Sequence, residues 1–236
     1  NNLIDGKVYR IKINLNKAAN KAELLQAFKN STGINENMNR ILDRVNSKSV
    51  FLIEDVEQWW LRTSEGSGAL DEIAKIIKPG ITTNQIDSLW YEFINDNDAY
   101  SAPLFYRGFP KSCCTSSNHT ICHGIPGDKT LTDGDIVNVD VTSFKNGWHG
   151  DTSRMFYVGS VSVKAKKIID VTYNSMMKAI KILNKEITLG DIGSTIQTYV
   201  EKEGFTVVRD FCGHGIGKVF HQEPNILHYG NKGTGT

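Results

Sequence analysis

Residues 134–159, GDIVNVDVTSFKNGWHGDTSRMFYVG, predict a β-hairpin. Polar and apolar residues alternate through the first half of this segment, as in a strand that buries one face. Asn146-Gly147 is the strongest short signal for a hairpin turn, so the chain should return antiparallel to itself. Asp140 and Asp151 are then expected near each other on paired strands, on a polar face opposite a core of valines.

The two carboxylates allow two interpretations. Buried carboxylates on neighbouring strands repel each other unless a cation lies between them. Divalent metals bind carboxylate oxygens, and imidazoles can complete the set of ligands. The hairpin alone also fits a pair of solvated surface charges, and on its own it favours that simpler interpretation.

Histidines in glycine-rich segments favour a shared site. His214 and His221 lie seven residues apart in FCGHGIGKVFHQEP, and His123 lies in ICHGIP. His149 comes just before Asp151 in the hairpin. A single histidine is more often structural than a ligand. Several His-Gly pairs together with two aspartates favour a metal or catalytic centre, since glycines let the backbone crowd a site.

An internal repeat predicts the overall architecture. Residues 76–94 align without a gap with residues 182–200, and each copy follows an apolar-periodic helix. In each copy a threonine begins a second helix, and a strand-like run follows at residues 102–108 and 205–213. Chance similarity between two ordinary helices is the alternative. Duplication predicts two related α+β halves with a cleft between them, where binding sites are common.

The composition argues against two classes of protein. The chain has 236 residues, of which 39% are hydrophobic, and a formal net charge of +1. It has no basic stripe that would hold nucleic acid by bulk charge, and no apolar run approaches the ~20 residues that span a bilayer. Four cysteines without paired CxxC spacing predict reduced thiols and an intracellular compartment.

Three segments together resemble the type I methionine aminopeptidase family. They are GFPKSCCTSSNHTICHGIP (108–126), DGDIVNVDVTSFKNGWHGDTSRMFYVG (133–159) and VVRDFCGHGIGKVFHQEPNILHYG (207–230). The resemblance implies a pita-bread fold, in which two pseudo-symmetric α+β halves surround a central antiparallel sheet. It also implies removal of the initiator methionine from nascent proteins when the next residue is small. A related pita-bread peptidase of other specificity and a non-catalytic binding protein on the same scaffold are the alternatives.

The resemblance implies roles for particular residues. Asp140 would bind one metal ion with both oxygens, Asp151 would bridge two ions, and His214 would bind the second. His123 and His221 would be catalytic, contacting the substrate and stabilising the tetrahedral intermediate. The two divalent ions would be Co, Mn, Fe or Zn. The methionine pocket would be lined by four residues, Tyr106, Phe109, Cys114 and Phe220.

The resemblance does not extend over the whole chain. Residues 1–50 match nothing in the family, so we expect a poorly packed or regulatory N-terminal extension before a catalytic domain at 51–236. Short helices are predicted in the extension at 21–28 and 38–45. The family's two remaining metal ligands are glutamates that follow the segment matched here. We therefore expect the catalytic domain to be C-terminally incomplete, and residues 1–236 alone to bind metal weakly and hydrolyse nothing.

Two positions depart from the family pattern near the expected substrate site. Arg107 stands where the family usually carries histidine, and His119 where it usually carries an acidic residue.

The resemblance further implies nascent polypeptide N-termini as partners, met at the ribosome, with neither nucleic acid nor membrane. It implies a monomer in a bacterial-type cytoplasm or in an organelle.

Overall fold

The computed structural model describes four ranges of the chain, residues 9–11, 51–53, 64–183 and 186–235. The helices predicted at 21–28 and 38–45 lie outside these ranges. Strands β1 (Tyr9–Ile11) and β2 (Phe51–Ile53) form a parallel pair.

The chain divides into two compact units. The first contains Asn1–Gly68, Leu183–Thr188 and Thr234–Thr236, and the second contains Ala69–Ile182 and Leu189–Gly233. Every predicted site residue belongs to the second unit. The domain boundary predicted at residue 51 stays a prediction.

Four helices form the two pairs that the repeat predicts. They are α1 (Ser64–Ile76), α2 (Thr83–Asp96), α3 (Val163–Lys181) and α4 (Leu189–Lys202). Helix α2 begins where the sequence predicts, because Thr82 and Gln85 form a reciprocal capping box. The Thr82 hydroxyl accepts from the Gln85 N–H, and the Gln85 side chain accepts from the Thr82 N–H.

A four-stranded antiparallel sheet carries the site. Its strands are β3 (Tyr100–Ser101), β4 (Cys114–Ser117), β5 (Ile136–Lys145) and β6 (Trp148–Tyr157). Strand β5 is central, with β6 along one edge and β3 and β4 along the other. Asn146 and Gly147 have φ angles of 53° and 83°, as a type I′ turn requires. The predicted hairpin and its turn are confirmed.

The valines of β5 form the floor of the core. Val137, Val139 and Val141 are at most 2% exposed, and each such burial contributes roughly 1.5–3 kcal/mol. They belong to one hydrophobic cluster with four residues of the first helix pair, Ile73, Ile86, Trp90 and Ile94. The core therefore holds one face of the sheet, and the polar positions of β5 lie on the opposite face.

The strand predicted at residues 102–108 is wrong. Phe105 and Arg107 take left-handed φ angles of 64° and 50°, which no strand accommodates. Pro103 has no N–H to donate to a ladder. The segment instead forms a turn that contains a short 3-10 helix, Tyr106–Gly108.

The strand predicted at residues 205–213 is largely wrong as well. Among these residues only Gly213 is in a strand, β7 (Gly213–Gly215). It pairs antiparallel with β8 (Gln222–Ile226), whose last residue is the partner of Gly213. Because β8 ends there, the preceding residues have no continuing ladder partner on it.

Candidate functional site

Asp140 and Asp151 lie together on the polar face of the hairpin, as predicted. Asp151 is the register partner of Thr142, and Asp140 is the partner of Ser153. Positions 140 and 142 point to the same face of β5, so the two carboxylates are diagonal neighbours. Burial raises the pKa of Asp140 to about 7, and the charge and hydrogen bond of Asp151 add to the effect. Without a nearby cation, Asp140 is therefore partly protonated near neutral pH.

Cys114 lies beside this pair because it is the register partner of Asp140 on β4. The residue is only 7% exposed. Burial raises the pKa of the Cys114 thiol to about 12, with smaller contributions from Asp140, Asp151 and Cys122. The thiol is neutral at physiological pH, so it acts as a small polarisable packing group.

His214 projects from β7 at an irregular point of its pairing with β8. The register shifts between His214 and Gly215. His214 Nδ1 lies 3.0 Å from the Gly215 carbonyl oxygen. A carbonyl only accepts, so this contact assigns the proton to Nδ1 and leaves the lone pair on Nε2. Histidines that bind metals commonly have this arrangement.

His221 contacts residues from both predicted halves. Its ring lies 4.3 Å from the His214 ring, and its Nδ1 lies 3.0 Å from the Tyr106 hydroxyl. Burial lowers the pKa of His221, and the nearby His214 ring and Arg107 guanidinium lower it further. The imidazole is therefore neutral at physiological pH.

Asp151 and His123 also lie within electrostatic range of His221. The Asp151 charge raises the pKa of His221, and the His123 charge lowers it. The structure thus brings Asp151, His214, His221, His123 and Arg107 into one neighbourhood. The sequence placed the first four in one site and treated Arg107 only as a departure.

Aromatic rings form one wall of the site. The rings of Tyr106 and Phe220 are 4.9 Å apart, and the rings of Phe220 and His221 are 4.1 Å apart. Phe109 closes the turn at Tyr106, since its N–H donates to the Tyr106 carbonyl oxygen over 3.0 Å. The predicted pocket residues Tyr106 and Phe220 are therefore neighbours, while a pocket role for Phe109 stays a prediction.

His149 positions the loop that carries Phe220. Its backbone N–H donates to the Gly217 carbonyl oxygen over 2.8 Å, and its Nδ1 lies 3.0 Å from the same oxygen. Its ring stacks on Phe220 at 5.3 Å, with 8° between the planes. The sequence singled out His149 only as one more His-Gly pair, and the structure gives it this positioning role.

His123 is held by the close approach of its loop to β4. The Thr115 N–H donates to the Gly124 carbonyl oxygen over 2.8 Å. A Cβ on Gly124 would lie 2.2 Å from the Thr115 carbonyl oxygen, so only glycine fits. The His123 ring packs edge-on against Phe211, with 5.7 Å between centroids.

Asp87 holds the backbone just before Cys114 in place, and the sequence did not reveal this role. It lies on α2, is 9% exposed and accepts hydrogen bonds from the backbone N–H groups of Ser112 (2.8 Å) and Cys113 (3.2 Å). The Lys111 ammonium lies 3.6 Å from its second oxygen. The only signal was an acidic residue on the otherwise apolar face of a predicted helix.

The donor chemistry suits a divalent metal ion. Asp140 neighbours Asp151, and Asp151 and His214 both lie near His221. Two carboxyl groups and an imidazole are donors that such ions accept. Within the part of the chain that the structure describes, no three histidine, cysteine, aspartate or glutamate side chains are arranged to hold a metal ion. The assignment of Asp140, Asp151 and His214 as ligands therefore stays a prediction.

Known proteins resemble this chain over most of its length. The family model described as Metallopeptidase family M24 matches residues 66–236. A methionine aminopeptidase of Rickettsia prowazekii (strain Madrid E) is 57% identical over 166 residues, which are 70% of this chain and 64% of that protein. A methionine aminopeptidase of Escherichia coli (strain K12) is 45% identical over 183 residues, 77% of this chain and 69% of that protein.

A solved structure agrees with these sequence matches. The crystal structure of methionine aminopeptidase from Rickettsia prowazekii has a TM-score of 0.70 and 56% sequence identity to this chain. The match covers 71% of this chain and 68% of that one.

Proposed function

Because this chain belongs to metallopeptidase family M24, we propose that it removes the initiator methionine from nascent proteins when the next residue is small. The chain has the α+β pita-bread fold that the sequence predicted. It spans 64% of the length of the Rickettsia prowazekii relative, so the activity of the whole protein is part of the proposal. One observation carries it: His221 meets Tyr106, His214 and Asp151 in a single neighbourhood.

Three side chains would hold metal in this proposal, Asp140, Asp151 and His214. The family is a metallopeptidase family, and two ions drawn from Co, Mn, Fe and Zn are the proposed number and identity. Divalent metal ions, when bound, supply Lewis-acid activation of water and of the peptide carbonyl. The raised pKa of Asp140 favours the proposal, because a buried carboxyl group beside a second one lies where positive charge is stabilised.

His221 would act on the scissile amide as a neutral imidazole. If the Tyr106 hydroxyl donates to Nδ1, the imidazole proton is on Nε2. From there it can donate to the amide oxygen as negative charge develops, which is the role of an oxyanion-stabilising donor. His123 would contribute a second contact from the loop beside β4.

Tyr106, Phe220, Phe109 and Cys114 would line the pocket for the methionine side chain. A flexible thioether suits such surroundings, since each sulfur–aromatic contact adds roughly 0.3–1.5 kcal/mol. The close contact of the tilted Tyr106 and Phe220 rings, with centroids 4.9 Å apart, supports this assignment. The neutral thiol of Cys114 supports it as well, because a charged thiolate would oppose an apolar side chain.

The proposed partners are nascent polypeptide N-termini, met at the ribosome by a monomeric enzyme. The proposed location is a bacterial-type cytoplasm or an organelle, in keeping with the bacterial relatives. In the described ranges, no helix has the length and apolar character needed to cross a membrane.

Peptide hydrolysis tests the proposal. We expect the natural full-length protein, stripped with chelator and reloaded with Co, Mn, Fe or Zn, to cleave Met-Ala-Ser. Met-Leu-Ser and Leu-Ala-Ser should not be cleaved, because the second residue is large in one and the first is not methionine in the other. Preferred cleavage of an Xaa-Pro peptide would favour the related peptidase of other specificity. Metal binding without cleavage of any peptide would favour a binding protein.

The same assay tests the expectation for residues 1–236 expressed alone. We expect this segment to bind metal weakly and to leave Met-Ala-Ser intact. Robust hydrolysis by residues 1–236 would contradict this expectation.

A further inference from the structure

Arg107 is an exposed cation at the edge of the site. Its guanidinium carbon lies 5.4 Å from the centroid of the Tyr106 ring. Among the residues that the structure describes, no carboxylate lies within salt-bridge distance of it. The guanidinium is therefore available to an acidic group that comes from outside the chain.

The backbone holds this cation in place. Phe105 and Arg107, on either side of Tyr106, both have left-handed φ angles. The turn persists because the Phe105 N–H donates to the Phe109 carbonyl oxygen over 2.7 Å, and the Phe109 N–H donates to the Tyr106 carbonyl oxygen over 3.0 Å. Residues kept in sparsely populated backbone conformations by their surroundings cluster at ligand-binding sites.

Tyr106 links Arg107 to the proposed reaction centre. The ring that lies beneath the guanidinium carries the hydroxyl that contacts His221 over 3.0 Å. The charge of Arg107 acts directly on His221. A peptide bound with its scissile amide at His221 would therefore pass close to this guanidinium.

We propose that Arg107 is a specificity-determining residue that favours an acidic side chain at the third residue of the substrate. The inference rests on the proposed function, in which the first residue is methionine and the second is small. The third residue is then the nearest one that can carry a carboxylate. Arginine suits this task because its planar fork binds both oxygens of a carboxylate and stays charged at all relevant pH values.

Paired peptides test the inference with the metal-loaded, full-length protein. Met-Ala-Asp-Ser and Met-Ala-Lys-Ser differ only at the third residue, which has opposite charges in the two peptides. Met-Ala-Ser reports whether the protein hydrolyses methionyl peptides at all. We expect kcat/KM for the Asp peptide to exceed that for the Lys peptide by about threefold to fivefold at low salt, in keeping with a partly exposed ion pair. The ratio should approach one near 0.5 M NaCl, where such pairs are screened.

Substitutions assign the preference to Arg107. R107Q should reduce the ratio to near one, and R107E should reverse it. R209Q is the matched control, because Arg209 also lies over a tyrosine, at 4.4 Å from the Tyr229 ring, and should leave the ratio unchanged. If R107Q fails to fold or is inactive, the salt dependence of the Asp-to-Lys ratio in the unsubstituted protein tests the inference instead. A ratio that does not change with salt would then overturn it. Equal dissociation constants for the two peptides, measured by calorimetry, would also overturn the inference.

The outcomes separate the two proposals. Failure to cleave any methionyl peptide would overturn the proposed function. Cleavage of Met-Ala-Ser with no preference between the Asp and Lys peptides would overturn the role of Arg107 alone. A preference that survives in R107Q would also overturn it, because the charge discrimination would then come from other residues.

Discussion

Replacing Asp87 by alanine should destabilise the protein by several kcal/mol. The substitution removes the acceptor of two buried backbone N–H groups, those of Ser112 and Cys113. Each buried donor left without a partner costs about 1–3 kcal/mol, so the loss of both acceptor contacts should lower the free energy of unfolding by about 2–6 kcal/mol. The Ser112 hydroxyl is not counted, because it keeps a second contact with the Asp87 backbone carbonyl at 3.2 Å. Lys111 is not counted either, since its side chain is 31% exposed and water can solvate it.

Urea unfolding followed by tryptophan fluorescence measures the effect, since Trp90 donates to the Ser112 carbonyl oxygen over 2.9 Å and reports on this region. Asp87→Asn is the matched control. Its side-chain oxygen can still accept from both N–H groups, so it should lose only about 1–2 kcal/mol, the net value of hydrogen bonds strengthened by charge. A loss below about 1 kcal/mol for Asp87→Ala, or equal losses for the two variants, would refute the reasoning.

Three further predictions concern packing, charge and catalysis. Gly193→Ala should lower the free energy of unfolding by more than about 2 kcal/mol, because the added Cβ would lie 2.3 Å from the Tyr229 carbonyl oxygen. Gly127→Ala is the control and should be nearly neutral, because its Cβ would meet nothing within 4 Å. Equal melting temperatures for the two variants would contradict this. In the metal-free protein, the pKa of Asp140 is raised to about 7, so its protonated form stabilises the fold at low pH. This stabilisation is lost as the pH rises through 7 and the group ionises. Asp140→Asn should therefore melt above the unsubstituted protein at pH 8 and converge with it near pH 4, and the opposite trend would contradict the coupling. Tyr106→Phe removes the hydroxyl that contacts His221, so kcat/KM for Met-Ala-Ser should fall about tenfold, and an unchanged value would count against the proposed role of His221.

The hairpin and its carboxylates could be predicted because local sequence determines them. Alternation fixes which residues of β5 face the core, and Asn146-Gly147 fixes the turn and thereby the register. Asp140 and Asp151 are diagonal neighbours as a direct result of that register. The start of helix α2 was equally local, since the capping box at Thr82 involves residues three apart.

The misplaced strand at 102–108 and the missed residues depend on distant contacts. The turn at Tyr106 is held left-handed by its surroundings, and no local propensity signals φ angles above 0° for Phe105 and Arg107. Asp87 acts on backbone groups 25 and 26 residues away. His149 acts on a carbonyl 68 residues away. Sequence patterns over a short window cannot report such partners.

The contact between Tyr106 and His221 joins residues 115 positions apart in the chain. Closing a loop of that length costs more conformational entropy than closing the short loop of the β5–β6 hairpin. The ordering cost of such a contact must be met before the contact contributes any stability. The wall of the site therefore forms only when the chain between Tyr106 and His221 has been brought together. The carboxylate hairpin has no such requirement, because a two-residue turn joins its strands.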